Sequence, residues 1–254
     1  MRNPDHIAKF LAAVVLFAGG TLWAQALPSE ARLQNEIHKY EQLTRDNPRD
    51  VELWHILGAL YREAEQWDKA IAAETQAIQG HPKYAVAFYG RGKAKMGKAG
   101  TPSNPRPAED YSSAVEDFTS SIRLFEVRYG PIGNQVGLPN DKDYIDCYRT
   151  RGVAQAHLNK YPEAIADISI AIKLRKDDPK LLYERGYLEE KAGMKKDAIP
   201  DYHRAGMLYA DLFPPARESA EECIARLDNL GATAEANAVR LKLIPKTPKS
   251  DLPR

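Results

Sequence analysis

The sequence predicts an all-α fold in which antiparallel helix pairs repeat along the chain. Trp54, Leu57 and Tyr61 are three and four residues apart, which places them on one face of a helix. Glycines recur at separations of 34, 60 and 34 residues, at Gly58, Gly92, Gly152 and Gly186. The recurring separation of 34 residues predicts a solenoid, because one helix pair cannot bury its apolar face alone and therefore stacks on the next pair.

The segment 51–84 shows why each position of the repeat needs its residue type. Gly58 and Ala70 are small, so two antiparallel helices can approach closely where they cross. Ala77 is small where we expect the next repeat to pack. Pro82 cannot continue a helix, and it therefore ends the second helix of the pair.

These residues resemble the tetratricopeptide repeat, whose period is also 34 residues. The matching positions are Trp54, Leu57, Gly58, Tyr61, Ala70, Ala77 and Pro82. The later repeats depart at the first-helix leucine, where Arg91, Arg151 and Arg185 stand. The resemblance implies a right-handed superhelical solenoid of antiparallel helix pairs. It also implies that the first helices line a concave groove in which a peptide or helix binds.

The register of the repeats predicts the organisation of the chain. The 60-residue glycine gap exceeds the period by 26 residues, which turn-rich segments at 97–107 and 127–143 supply. The second of these either folds over the groove edge, binds a partner, or is a tolerated insertion. We predict a signal peptide at 1–26, an N-terminal capping helix at 27–48, repeats at 51–84, 85–126, 145–178 and 179–212, degenerate capping helices at 213–244 and a flexible tail at 245–254.

Within the degenerate unit, the sequence predicts two helices. The first runs from Pro215 to Leu230, and Gly231 ends it. Thr233 then caps a short helix that continues to Leu243. An atypical, amphipathic pair of this kind suits the end of a solenoid, where the last repeat has no further neighbour to cover it.

The first 26 residues are typical of a secretory signal. Arg2 and Lys9 supply positive charge, Phe10 to Trp23 is apolar, and the run Ala24 to Ala26 matches a cleavage site. The apolar stretch is shorter than the ~20 residues of a transmembrane helix. We expect a secreted or periplasmic protein of a bacterial cell envelope, cleaved near Ala26. The alternative is an uncleaved anchor, which would be the chain's only contact with a membrane.

The formal net charge of +1 gives the chain no overall field that would attract nucleic acid, so we predict no nucleic-acid partner. The two cysteines, Cys147 and Cys223, are about two repeats apart. That exceeds the ~4.4–6.8 Å between Cα atoms that a disulfide requires. We therefore expect two buried, reduced and inert thiols.

No motif indicates an enzyme, a cofactor or a metal site. The run from Gly92 to Ala99 is close to a P-loop, but Ala99 replaces the magnesium-binding hydroxyl and the run follows a helix. The six histidines show no HxxxH or HExxH pairing, and the cysteines form no CxxC motif. We predict a non-catalytic protein without a cofactor or a small-molecule substrate.

The candidate partner-binding residues are first-helix side chains that the packing of the repeat does not require. They are His55, Arg62, Tyr89, Lys93, Arg149, His157, Tyr183, Tyr187 and Lys191. Aromatic and arginine side chains carry much of the binding energy in interfaces. We expect a protein or peptide segment with some acidic character. In chaperone-binding members of the family, an asparagine after the repeat glycine captures the chaperone's C-terminal carboxylate. Here those positions hold Ala59, Lys93, Val153 and Tyr187, so the resemblance does not favour this kind of partner.

Two functions fit this sequence. The first is an interaction scaffold that binds a peptide or protein in the concave groove. The second is a structural subunit of a larger envelope or secretion complex, in which edges and loops contact the neighbours. Both use the surfaces of a solenoid and neither requires catalysis.

Overall fold

A computed structural model describes residues 29–130, 142–212, 214 and 216–244. The described residues form eleven α-helices and no strand. In chain order they are α1 (Ser29–Asp46), α2 (Val51–Glu63), α3 (Trp67–Gly80), α4 (Ala85–Ala99), α5 (Pro107–Tyr129), α6 (Lys142–His157), α7 (Tyr161–Leu174), α8 (Pro179–Lys191), α9 (Lys195–Asp211), α10 (Arg217–Asn229) and α11 (Thr233–Leu243). The predicted all-α solenoid of helix pairs is confirmed. The predicted signal, tail and most of the 127–143 loop lie outside the described residues.

The helices pack in chain order, which gives the solenoid one continuous core. The pairs α2/α3, α4/α5, α6/α7 and α8/α9 form the four repeats, and each second helix also packs on the first helix of the next pair. Among the first helices, α2 packs on α4 and α4 on α6. Among the described residues, α6 and α8 have at most marginal backbone contact. The first-helix layer is therefore more open between the third and fourth repeats.

Small residues occupy the helix crossings, as predicted. Gly152 faces the carbonyl oxygen of Ala164, and a Cβ on this glycine would lie 3.1 Å from it. Gly186 faces Ala198 in the same way, at 3.3 Å. The alanines of the repeat are fully buried at Ala70, Ala77, Ala164, Ala171, Ala198 and Ala205. Side chains larger than these would hold the helices apart and lose packing along the whole core.

An arginine in the first helix of three repeats binds an aspartate in the second helix of the same repeat. Arg151 donates from Nε and Nη2 to the two oxygens of Asp167, at 2.7 Å each. Its Nη1 donates to Thr119 Oγ1 in the preceding repeat, at 3.2 Å. The aspartate is buried and the guanidinium mostly so. One side chain therefore joins two helices of its own repeat to the repeat before it.

The same arrangement occurs in two other repeats. Arg91 binds Asp117 and Thr75, and Arg185 binds Asp201 and Ser169. The arginines stand out in the sequence because they replace the leucine of the repeat, whereas their aspartate partners do not. The available signal is the spacing, which is 16 residues from Arg185 to Asp201 and 26 from Arg91 to Asp117. The ten additional residues correspond to the inserted loop in the second repeat.

The helix ends show which residues start and stop each element. Asp50 caps α2 by accepting hydrogen bonds from the backbone N–H of Glu52 and Leu53, at 3.0 and 3.2 Å. The prediction for Thr233 is wrong, since this residue is the first of α11 and Ala232 holds the cap position without a side-chain bond. Gly231 adopts φ +75°, which glycine tolerates, and follows the end of α10 as predicted.

Both cysteines are buried, and they do not form a disulfide with each other. The Sγ of Cys147 lies 3.2 Å from Ser121 Oγ in the core between α5 and α6. Burial raises the pKa of the Cys223 thiol to about 12, with a smaller contribution from Glu222. A thiol that stays protonated is a poor nucleophile, so this cysteine is a packing residue.

None of the described helices combines the length and the apolar character that a bilayer span requires.

Glu189 in α8 is a buried carboxyl that is incompletely paired. Its side chain belongs to a residue only 7% exposed, and Oε2 has no hydrogen-bond partner among the described residues. The other oxygen, Oε1, lies 3.8 Å from Arg185 Nε. Burial, with a smaller contribution from Asp201, raises the pKa of Glu189 to about 7, and Arg185 opposes the shift.

Stability is expected to fall as the pH rises from about 4.3, the usual pKa of an unfolded glutamate, to about 7. In that window the folded chain binds more protons at Glu189 than the unfolded chain, so each rise in pH favours unfolding. Glu189→Gln should raise the free energy of unfolding at alkaline pH by roughly 1–2 kcal/mol, after allowance for solvent screening. Urea unfolding at several pH values across this range measures the free energy of unfolding. Glu163→Gln, on the exposed surface of α7, is the control. If the free energy of unfolding of Glu189→Gln falls with pH as steeply as that of the unchanged protein, the raised pKa of Glu189 is not the cause.

Candidate functional site

A groove opens between α6 and α8, where the first-helix layer is least tightly packed. Its cavity volume is about 440 Å³. The lining residues come from α6, the turn after it, α7 and α8: Val153, Ala156, His157, Asn159, Tyr161, Ile168, Tyr183, Glu184, Tyr187, Leu188 and Lys191. The volume is in the range of sites that bind ligands.

Apolar side chains form the floor of this groove, and tyrosines form its wall. Ile168 and Leu188 are buried core residues of the third and fourth repeats. Tyr183 is held in place, because its ring packs on Tyr202 at 5.4 Å between centroids and its hydroxyl bonds to Glu222. Tyr187 is 36% exposed. The wall is therefore a rigid aromatic surface that remains accessible to a partner.

Positive groups lie beside the exposed tyrosine. Lys191 Nζ lies 5.4 Å from the centroid of the Tyr187 ring, and Arg226 Cζ lies 5.3 Å from it. Arg226 is partly neutralised, since its Nη1 is 3.5 Å from Glu190. Within the described residues, no carboxylate reaches salt-bridge distance of Lys191. The Lys191 ammonium is therefore available to an acidic group.

Arg149 and Glu184 neutralise each other at the edge of the groove. The Nε of Arg149 donates to both oxygens of Glu184, at 2.7 and 3.0 Å, and Nη2 also bonds to Oε1. Burial lowers the pKa of Arg149, but the bonds to Glu184 outweigh that effect and the net shift is upward. Arg149 therefore bridges α6 and α8 rather than offering an unpaired charge.

The predicted residues of the first repeat surround a buried carboxylate. Glu74 in α3 is fully buried. His55 Nδ1 lies 2.9 Å from its Oε2, and Arg62 binds its Oε1 through Nη1. A buried carboxylate needs such partners to offset the cost of leaving water. His55 and Arg62 thus have a structural role that the sequence analysis did not anticipate.

Tyr89 and Lys93 lie on α4, away from the groove between α6 and α8. Tyr89 is only 8% exposed and packs on Phe118 in the core, at 6.0 Å between ring centroids. Lys93 Nζ lies 5.1 Å from the Tyr89 centroid, on the exposed side. Burial lowers the pKa of Lys93, and nearby Arg62 lowers it further. Lys93 can contact a partner, whereas the Tyr89 ring belongs mainly to the core.

The structure brings four of the nine predicted residues together, and these line the groove: His157, Tyr183, Tyr187 and Lys191. His157 also stacks on Tyr111 of the preceding repeat, at 4.3 Å between parallel rings. Sequence reasoning missed Tyr161 and Ile168, because it considered first helices alone. Their position in α7, opposite the gap between α6 and α8, is set by tertiary packing and leaves no pattern in the sequence.

Comparison with known families identifies the repeats. A family model described as tetratricopeptide repeat matches residues 37–85 and 149–206. Both segments are similar to tetratricopeptide repeats, and together they span less than half of the chain. The second match contains α7, α8 and all eleven residues that line the groove.

Solved structures with a similar fold are distant in sequence. MamA 41-end from Desulfovibrio magneticus RS-1 aligns with a TM-score of 0.56 and 14% identity, covering 69% of this chain and 85% of that one. TTC0263, a TPR protein of Thermus thermophilus, gives 0.54 and 16%, covering 76% and 91%. PilW, titled a type IV pilus biogenesis factor, gives 0.54 and 14%, covering 94% and 100%.

These likenesses concern the fold, because all three identities are low. Among curated proteins, none matches this chain.

Proposed function

We propose that the protein is a non-catalytic interaction scaffold that binds a peptide or protein segment in its concave groove. The main support for this proposal is the cavity between α6 and α8, whose apolar floor lies beside the exposed side chain of Tyr187. An exposed aromatic beside buried apolar side chains is the composition of an interface centre. The tetratricopeptide architecture supports the proposal, since solenoids present extended concave surfaces for recognition.

The same proposal includes a preference for acidic partners. Lys191 and Lys93 support it, because neither has a carboxylate at salt-bridge distance among the residues described. Arg62 and Arg149 do not contribute, since Glu74 and Glu184 already bind them. The acidic preference therefore depends on fewer groups than the sequence suggests, and of these two lysines only Lys191 lines the cavity.

The proposed compartment is the bacterial cell envelope, after cleavage near Ala26. The charged start, the apolar stretch and the Ala-Gln-Ala run support this proposal. N-terminal sequencing of the protein recovered from a native envelope fraction is the measurement. A mature chain that begins at Leu27 agrees with the proposal, and an intact Met1 in the cytosol contradicts it.

Photo-crosslinking in the native compartment tests the groove. A photoreactive residue placed at Tyr187 should give a discrete crosslinked adduct, because that ring is exposed inside the cavity. The control is the same residue at Lys173, which is exposed on α7 and does not line the cavity. Equal adducts from both positions, or none from position 187, would contradict binding in the groove.

The runner-up function is a structural subunit that contacts neighbours through its edges. The observation in its favour is the C-terminal end of the solenoid, where large apolar side chains remain exposed at Leu212, Leu241 and Ile244. Leu241 is 68% exposed, although it lies in the last described helix. Adducts from position 241 that are stronger than those from position 187 would favour this function.

A further inference from the structure

We propose that the groove between α6 and α8 binds a bulky apolar side chain of the partner together with a carboxylate beside it in the partner's sequence. This inference rests on the proposed function and deepens it, since it states which chemistry the groove selects. It assigns the apolar side chain to the cavity floor and the carboxylate to Lys191.

The floor specifies a bulky apolar side chain. Ala156 is partly exposed at the bottom of the cavity, where the buried side chains of Ile168 and Leu188 also line it, and all three belong to the core cluster between the third and fourth repeats. The cavity of about 440 Å³ has room for a large aliphatic or aromatic group with part of its backbone. Burying such a side chain removes its apolar surface from water, whereas an alanine would leave most of the cavity filled with water.

The wall is already ordered before any partner arrives. Tyr183 is fixed by its contact with Tyr202 and by its bond to Glu222. Tyr187 has cations near its ring from both Lys191 and Arg226. A preorganised aromatic wall loses little conformational freedom on binding, so more of the contact energy remains as affinity.

The rim specifies a carboxylate rather than an ammonium group. Lys191 lines the cavity, and no described carboxylate neutralises it. Glu184 also lines the cavity, but both of its oxygens bind Arg149. The uncompensated charge at the rim is therefore positive, which attracts an acidic group and repels a basic one.

The two requirements define adjacent residues in the partner. Lys191 follows Tyr187 by four residues, so its side chain lies one helical turn along α8 on the same face. A group that fills the floor near Leu188 thus has a cation within the reach of a neighbouring residue. The preferred segment contains a Leu, Phe or Trp next to an Asp or Glu.

A displayed random dodecapeptide library tests this specificity with the full chain. The library is selected on the protein, and enriched peptides are synthesised with both ends capped and titrated by calorimetry. We expect enrichment of an apolar–acidic pair. Changing the apolar residue to Ala should weaken binding at least tenfold, and changing the acid to Gln about fivefold. Because the ends are capped, binding through a terminal carboxylate is excluded from the titration and appears only with uncapped peptides.

Variants of the protein locate the site. Tyr187→Ala should abolish binding of the enriched peptides, and Lys191→Glu should weaken it and remove the preference for Glu over Gln. Lys180→Glu is the matched control, since it makes the same charge change on an exposed part of α8 that does not line the cavity. Lys191 is itself exposed, so its replacement tests the site even where Tyr187→Ala perturbs folding.

The outcomes separate this inference from the proposed function. Enriched peptides without the apolar–acidic pair, or peptides that bind Lys191→Glu unchanged, overturn the inference and leave groove binding intact. If no peptide of the library binds the protein, the result counts against both the apolar–acidic specificity and the proposed binding function of the groove. Self-association that Tyr187→Ala removes would make a second copy the occupant and would also overturn the inference.

Discussion

Asp167→Ala is expected to lower the free energy of unfolding by about 3 kcal/mol. Arg151 would lose both of its charge-assisted bonds, at 2.7 Å each, and would keep only the bond to Thr119. The guanidinium is mostly buried, so water replaces the carboxylate poorly. Since Arg151 also ties the third repeat to the second, we further expect a broader unfolding transition. Urea unfolding followed by far-UV circular dichroism measures both effects.

Two controls isolate the pair. Asp68→Ala removes a surface partner of Lys98, 2.7 Å away and largely exposed, and should cost less than about 1 kcal/mol. The double change of Arg151→Met with Asp167→Leu should recover most of the lost stability, because it leaves no unpaired charge. If Asp167→Ala and Asp68→Ala cost the same, the proposed coupling role of the pair is wrong.

Gly90→Ala should destabilise the protein by about 2 kcal/mol, although alanine is the better helix former. A Cβ at this position in α4 would lie 2.5 Å from Glu74 Cδ and 2.7 Å from Arg62 Nη1. Glu74 is fully buried and cannot swing into solvent, so the clash also disturbs its bonds to Arg62 and His55. Thermal and urea unfolding measure the loss.

The control for this substitution lies at the end of the same helix. Gly100→Ala introduces a Cβ whose nearest neighbour is 3.5 Å away, and Gly100 has ordinary helical dihedral angles. It should leave stability unchanged or slightly raised. Adding Glu74→Ala to Gly90→Ala should relieve the clash, so that the two changes cost less together than their separate effects predict. Strict additivity would show that Gly90 and Glu74 do not constrain each other.

The candidate site was only partly predictable, and Tyr89 and Tyr187 show why. Both are first-helix tyrosines that the sequence predicts to line the groove, although Tyr89 stands three residues before its repeat glycine and Tyr187 one residue after its own. The fold buries Tyr89 against Phe118 but leaves Tyr187 accessible. The reason is that α4 packs on both flanking first helices, whereas α8 has at most marginal backbone contact with α6 among the described residues. Exposure at these positions depends on how closely neighbouring repeats approach, which involves residues far apart in sequence.

Charge pairing was hidden from the sequence for a similar reason. Arg62 and Arg149 look like free cations in a first helix, yet Glu74 and Glu184 bind them from 12 and 35 residues away. The arginine–aspartate pairs were closer to being predictable, since a 16-residue spacing accompanies two of them. A search for acidic residues in register with each arginine would have found these pairs.

By itself, the sequence determined the helix pairs, their 34-residue period and the insertion between the two helices of the second repeat. These features follow from local chemistry, since small residues permit close helix crossings and proline or glycine ends each helix. Only the tertiary structure decided which first-helix side chains face solvent, which charges are already neutralised and where the groove opens. Those properties arise from the distances between repeats, and packing of the whole core sets these distances.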